Sequence, residues 1–202
     1  MQLILLSFYI LFFIFLAWKN FRLAVGLFII ALPTYLIRFT IGPLPTTILE
    51  LSFGALFLVW LIKYAKNDWL VIKKTIISHK LLFVFIGLFF LSSLVSIFVS
   101  DMVIKSLGEW RAFFLEPMVL FIILLGRREQ IKSKDLIWFL ALSILSISIL
   151  AIIQKFTGLL YPPSLWDDIL NGRVVAFFTS PNAVGLYLAP VIILMSVLLL
   201  DK

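Results

Sequence analysis

The sequence predicts an all-α, polytopic integral membrane protein with about seven transmembrane helices. Three observations carry that prediction. The 202 residues are 63% hydrophobic and only 13% charged, too little polar surface to solvate a globular exterior. Apolar stretches recur, each close to the ~17–25 residues that cross a bilayer as a helix. The basic residues, which give a net charge of +7, gather in alternate connections, as membrane orientation demands.

In chain order the expected spans are Leu3–Trp18, Leu23–Ile37, Thr47–Ile62, Leu81–Ser100, Trp110–Gly126, Leu136–Ile153 and Ala183–Leu200. The first reads as a span and not as a signal peptide. Met1-Gln2 supplies no basic start, and Trp18-Lys19-Asn20 is no small-residue cleavage site. Lys19, Arg22, Lys63, Lys66, Lys73, Lys74, Lys80, Arg127, Arg128, Lys132, Lys134 and Lys202 fall on one side of this arrangement. Only Arg38, Lys105, Arg111, Lys155 and Arg173 fall on the other. The richer side is expected in the cytoplasm, with the N-terminus and the Arg173 loop outside. A basic chain also invites a nucleic-acid reading, but this segregation by loop argues for orientation in a membrane instead. Trp18, Trp60, Trp69, Trp110, Trp138 and Trp166 lie near span ends or in loops, as an interfacial aromatic belt would.

No repeat or long linker divides the chain, so residues 1–202 read as a single helical domain. The connection Lys63–Lys80 carries Trp69-Leu70-Val71-Ile72 before Lys73-Lys74 and Ile76-Ile77. It reads either as an amphipathic helix on the membrane surface or as a loop held near headgroups by its lysines. Thr47-x-x-Glu50 and Ser106-x-x-Glu109 have the pattern of capping boxes. Ser180-Pro181 reads as an N-cap with proline in the first turn. Pro33, Pro117 and Pro190 predict kinks, since each removes a helix hydrogen bond. Ser92, Ser96 and Ser100 repeat every four residues and are expected on a helix-packing face.

Candidate chemistry concentrates in the run GRVVAFFTSPNAVGLYL, residues 172–188. Arg173 reads either as a bidentate phosphate clamp or as a loop residue paired with Asp167 or Asp168. The helix start at Ser180-Pro181-Asn182 adds a positive dipole end that favours anions. A phosphate fits between the two if Val174–Thr179 folds back. Arg111, at the outer end of the fifth span, is a second cradle candidate, or else a partner of Glu109 or Glu116. Those two glutamates read as a helix-face pair or as structural groups. Lys155 either snorkels or joins the cradle. Arg38 and Glu50, flanking Gly42-Pro43 and Pro45, read as a local ion pair. Cysteine is absent and His79 is the one histidine, which excludes thiolate and multi-histidine metal sites. Asp167-Asp168 alone specifies no metal geometry.

Several of these segments together resemble the O-antigen ligase and O-antigen polymerase family. They are Leu32-Pro33-Thr34-Tyr35 with Arg38, Pro45-Thr46-Thr47 with Leu49-Glu50, and Ser106-Leu107 before Arg111-Ala112-Phe113. Gln154 and Phe156-Thr157-Gly158 follow, then Arg173 and Pro181-Asn182-Ala183-Val184-Gly185-Leu186-Tyr187-Leu188. The resemblance covers the chain as the N-terminal half of such a protein. It implies a metal-independent, inverting glycosyltransferase that needs no cofactor, in the bacterial inner membrane. Its donor would be an undecaprenyl-pyrophosphate-linked glycan at the outer face, and polysaccharide-assembly proteins would be its partners. Arg173 would then touch the pyrophosphate, with Arg111, Ser180, Asn182 and Lys155 as candidate neighbours, where fixed cations stabilise a departing anion. The family's outer-loop histidine has no counterpart, because His79 falls in a cytoplasmic connection. The expectation is therefore a chain truncated before its catalytic loop, holding no catalytic residue. Two other classes stay open: a transporter or flippase-like protein for lipid-linked sugars or small solutes, and a non-catalytic membrane subunit.

Overall fold

The computed structural model describes residues 2–36, 38–41, 44–159 and 173–200. Among them the fold is all-α apart from one short hairpin. Trp166, Asp167, Asp168, Gly42 and Pro43 lie outside the described residues, and so do the readings placed on them. The chain divides into two compact units: Met1–Gly54 with Lys132–Lys202, and Ala55–Ile131.

The first unit opens with α1 (Gln2–Lys19) and α2 (Phe21–Ile30). Asn20 separates them because its Oδ1 caps α2, accepting from the Leu23 N–H at 3.1 Å. The second expected span stops early. Its helix ends at Ile30, not Ile37, and Leu32–Leu36 is a 3-10 turn. Pro33 explains the stop, since it offers no N–H and disfavours helical geometry at the residue before it. The hairpin of β1 (Arg38–Ile41) and β2 (Leu44–Thr47) follows, with Arg38 opposite Thr47 and Ile41 opposite Leu44. Sequence reading expected only a loop there, although Phe-Thr-Ile is strand-favouring.

The helix α3 (Ile48–Lys63) contributes to both units, the division falling at Gly54. Its start is the expected capping box. Glu50 N–H donates to Thr47 Oγ1 and Thr47 N–H to Glu50 Oε2, both at 3.1 Å. Thr46 Oγ1 also donates to Glu50 Oε2, at 3.0 Å. The Glu50 carboxylate therefore serves the cap. The unit is completed by α8 (Ser133–Thr157) and α9 (Pro181–Leu200). The helix α8 ends where Gly158 turns left-handed at φ 67°, a conformation glycine adopts without penalty. Helix α2 packs on α8 at Gly26, where an added Cβ would lie 2.6 Å from the Phe139 ring.

In the second unit the rest of α3 leads through Tyr64 into α4 (Ala65–Ser78), bent from α3 by 93°. The Lys63–Lys80 connection is therefore helical, as one of its two readings held. After exposed His79 comes α5 (Lys80–Phe98), then α6 (Val103–Trp110). The π-helical segment Arg111–Leu115 joins α6 to α7 (Glu116–Gly126). Its extra residue per turn relieves the clash between the Pro117 ring and the carbonyl four residues earlier. The second capping box is not formed. Ser106 lies inside α6 and donates to Ser100 Oγ at 2.6 Å, while Ser100 Oγ accepts from the Met102 N–H at 3.2 Å. On α5 the inward residues are Ser93 and Ile97, whereas Ser92 and Ser96 are exposed. The expected serine stripe is one residue out of register, because Trp110 Nε1 seeks Ser93 Oγ at 3.0 Å.

Three helices, α5, α8 and α9, are long and apolar enough to cross a membrane, and α3 with α4 makes a fourth if that bent pair is one span. Each of the three buries only 6–11% of its apolar window. Phe85, Phe89, Phe98, Ile193 and Leu200 stand exposed, and an apolar surface this extensive suits lipid. The chain is read from this surface as a membrane protein. Of the tryptophans, Trp18, Trp69 and Trp138 are exposed as belt residues should be. Trp60 is buried and donates to Asp68.

Candidate functional site

The segment after residue 172 is fastened to α8 by a buried side-chain amide. Gln154 is fully buried one turn before the helix ends. Its Nε2 donates to the Ala176 carbonyl at 2.9 Å, and its Oε1 accepts from the Ala176 N–H at 2.8 Å. Ala176 is left-handed, at φ 51°, which costs a non-glycine residue about 1–2 kcal/mol. The amide pair offsets that cost by satisfying both backbone groups of a buried peptide. Val175, Ala176 and Phe178 are buried. Ala176 and Phe178 pack with Ile147 of α8 and with Ala183, Val184 and Tyr187 of α9. Residues 174–179 thus fold back, as the phosphate-clamp reading required.

The fold-back returns Arg173 to the start of α9. Its Nη2 donates to Asn182 Oδ1 at 3.1 Å, and the guanidinium is exposed. Pro181 is the first helical residue, and Ala183 N–H donates to the Ser180 carbonyl at 3.2 Å. Pro181 has no N–H, so this helix end acts on an anion through the Asn182 amide and the dipole. The dipole is worth about 0.3–1 kcal/mol. A charge-assisted arginine bond is worth about 1.5–3 kcal/mol, so Arg173 dominates any anion binding here.

Lys155 and Arg111 are the other expected cradle residues. Lys155 is exposed in the last turn of α8. Arg111 belongs to the second unit, where its Nε lies 3.4 Å from Glu116 Oε1. Glu109 lies 3.9 Å from Lys105 Nζ, one helical turn away. The two glutamates therefore lie beside separate cations. Among the described residues no three His, Asp or Glu side chains gather as a metal site would require.

Two residues escaped the sequence reading. Gln154 reads from sequence only as part of a motif, although a lone amide closing an apolar span is a usable signal. Ser143, fully buried, donates to the Ile30 carbonyl at 3.0 Å and bonds the Tyr187 hydroxyl at 2.7 Å. It thereby satisfies a carbonyl left over at the end of α2. Nothing local in the sequence pairs those three. Comparison with protein-family models, curated proteins and solved structures finds no match to this chain.

Proposed function

We propose that this protein binds an undecaprenyl-pyrophosphate-linked glycan on the outer face of a bacterial inner membrane, as the donor-binding part of an O-antigen ligase or polymerase-like glycosyltransferase. The observation that carries the proposal is the Arg173–Asn182 contact at the start of α9. It sets a guanidinium fork beside a positive helix end, a pairing suited to phosphate oxygens. The anionic pyrophosphate would lie against Arg173 and Asn182, next to the Ser180-Pro181 start, with Lys155 as the remaining cradle candidate in the same unit. The proposal concerns donor binding and names no catalytic base.

Seven crossings belong to the same proposal. Helices α5, α8 and α9 would be joined by α1, by α2 with its 3-10 turn, by α3, and by the continuous run from α6 through α7. Ten residues of α2 extend about 15 Å, so the 3-10 turn is needed to complete that crossing. Contacts within the units support the orientation. Arg22 meets Asp135 at 2.7 Å on the side assigned to the cytoplasm, while Gln154, Ala176, Arg173 and Asn182 meet on the side assigned outside.

The test is binding of a labelled undecaprenyl-pyrophosphate glycan to the purified protein in nanodiscs. Arg173→Ala is expected to weaken it about 10- to 100-fold, the equivalent of one charge-assisted contact. Arg173→Lys should recover part of that, because the charge remains but the fork is lost. Equal binding by wild type and Arg173→Ala sinks the reading.

A further inference from the structure

The helix α4 has two unlike faces. Asp68, Ile72 and Thr75 are its buried residues, at the spacing of one helical face, and α4 packs against α7. The acidic residue of α4 is committed to that inner face. Asp68 Oδ2 accepts from Trp60 Nε1 at 2.9 Å, and Oδ1 lies 3.5 Å from Arg127 Nη1. Gly126 of α7 makes room, since a Cβ there would lie 2.8 Å from Asp68 Cβ. Arg128 Nη1 donates to Thr75 Oγ1 at 3.0 Å, a second fastening on the same face.

The outer face is left with one sign of charge. Lys66, Lys73 and Lys74 are exposed, interleaved with exposed Trp69, Leu70 and Ile77 at 59%, 72% and 66%. Apolar side chains so exposed belong in hydrocarbon, while lysines on long stems reach the headgroup layer from it. The connections decide where such a face lies. One residue, Tyr64, separates α4 from apolar α3 at a 93° bend, and one residue, His79, separates it from the membrane-crossing α5. A helix perpendicular to a span end and tied at both ends to apolar helices lies along the bilayer surface. Three lysines in fourteen residues make deeper insertion too costly.

We infer that the exposed face of α4 is a binding surface for anionic phospholipid headgroups, with Trp69, Leu70 and Ile77 seated below them and Lys66, Lys73 and Lys74 contacting their phosphates. Burial of Asp68 is what makes the surface selective. With its carboxylate turned inward onto Arg127 and Trp60, no acid of this helix opposes the lipid charge. Zwitterionic headgroups match the apolar residues equally well but leave the lysines uncompensated. This inference is independent of the donor-binding proposal, because it concerns the second unit and shares no residue with the Arg173 site.

The test uses the full chain in phosphatidylcholine nanodiscs with and without phosphatidylglycerol. Lipids retained on the protein are counted by native mass spectrometry. Wild type is expected to retain phosphatidylglycerol preferentially, and Lys66→Glu/Lys73→Glu/Lys74→Glu to lower that preference about tenfold or more. Lys19→Glu/Lys134→Glu, in the first unit, should leave most of it. Because the chain has no cysteine, Leu70→Cys carries a single spin label that is expected to be oxygen-accessible and shielded from polar relaxants. The label also reads the site in a protein whose lysines are unchanged, should the triple variant fail to fold. Preference unchanged in the triple variant, equal loss in the control, or a water-exposed label at position 70 each overturn the inference. Shielding by a co-purifying protein instead of lipid does so as well.

Discussion

Gln154 and Ala176 form a two-bond pair between a buried side-chain amide and a left-handed peptide, at 2.9 and 2.8 Å. The pair turns the chain so that Arg173 returns to the start of α9, nine residues before Asn182. Gln154→Leu removes both partners and leaves a buried N–H and carbonyl unsatisfied, at about 2–6 kcal/mol. The loss should appear as local opening, with spans intact. Hydrogen exchange at the Ala176 amide is expected to accelerate while helix content stays constant. Glycan-donor binding should fall as it does in Arg173→Ala. Unchanged exchange would show that the pair holds nothing. Ala176→Gly, which removes the strain of φ 51°, should be neutral or stabilising by up to about 1 kcal/mol.

Asn182→Asp separates stability from binding. A carboxylate there pairs with Arg173 and complements the α9 dipole, so thermal stability should rise slightly, by up to about 1 kcal/mol. The same carboxylate repels a pyrophosphate, and donor affinity is expected to drop at least about tenfold. A variant that gains both stability and affinity would contradict an anion site at this position.

Ser143 and Tyr187 make an ordered pair of predictions. Tyr187→Phe deletes one donor and leaves Ser143 bonded to the Ile30 carbonyl. It should cost about 0.5–1.5 kcal/mol. Ser143→Ala orphans both the carbonyl and the phenol, so it should cost more, about 1–3 kcal/mol. Unfolding in mixed detergent measures the order, and a reversed order refutes this hydrogen-bond direction.

Gly26 and Phe139 set how closely α2 approaches α8. Gly26→Ala places a methyl 2.6 Å from a half-buried ring and should destabilise by about 1–3 kcal/mol. Phe139→Leu frees that space, so the double variant should recover at least half of the loss. Additive effects would mean that the two side chains do not meet.

Hydropathy and charge made much of the fold legible. Helix positions for α1, α3, α5, α8 and α9, the Thr47–Glu50 cap and the helix start at Pro181 all follow from rules that act within a few residues. Expectation and structure part where a contact lies beyond that range or where an element is too short to show a pattern. The serine stripe on α5 was misplaced by one residue because Trp110 selects Ser93. The Ser106 cap was lost because the turn at Ser100 starts α6 earlier. The Arg38–Thr47 hairpin went unread because a four-residue strand gives little periodicity to detect.

The candidate site divides in the same way. From sequence alone came the residue types suited to an anion, Arg173 and Asn182, and the polar junction between apolar spans that holds them. Only the tertiary structure decided that these two meet, that Gln154 holds the fold-back, and that Arg111 is engaged with Glu116 in another unit. The reason is one of range. Helix propensity, capping and hydrophobic transfer depend on near neighbours and on solvent, so they can be read from a string. Contact between Gln154 and Ala176, 22 residues apart, depends on how α8 and α9 pack, and the chain must fold before that contact exists.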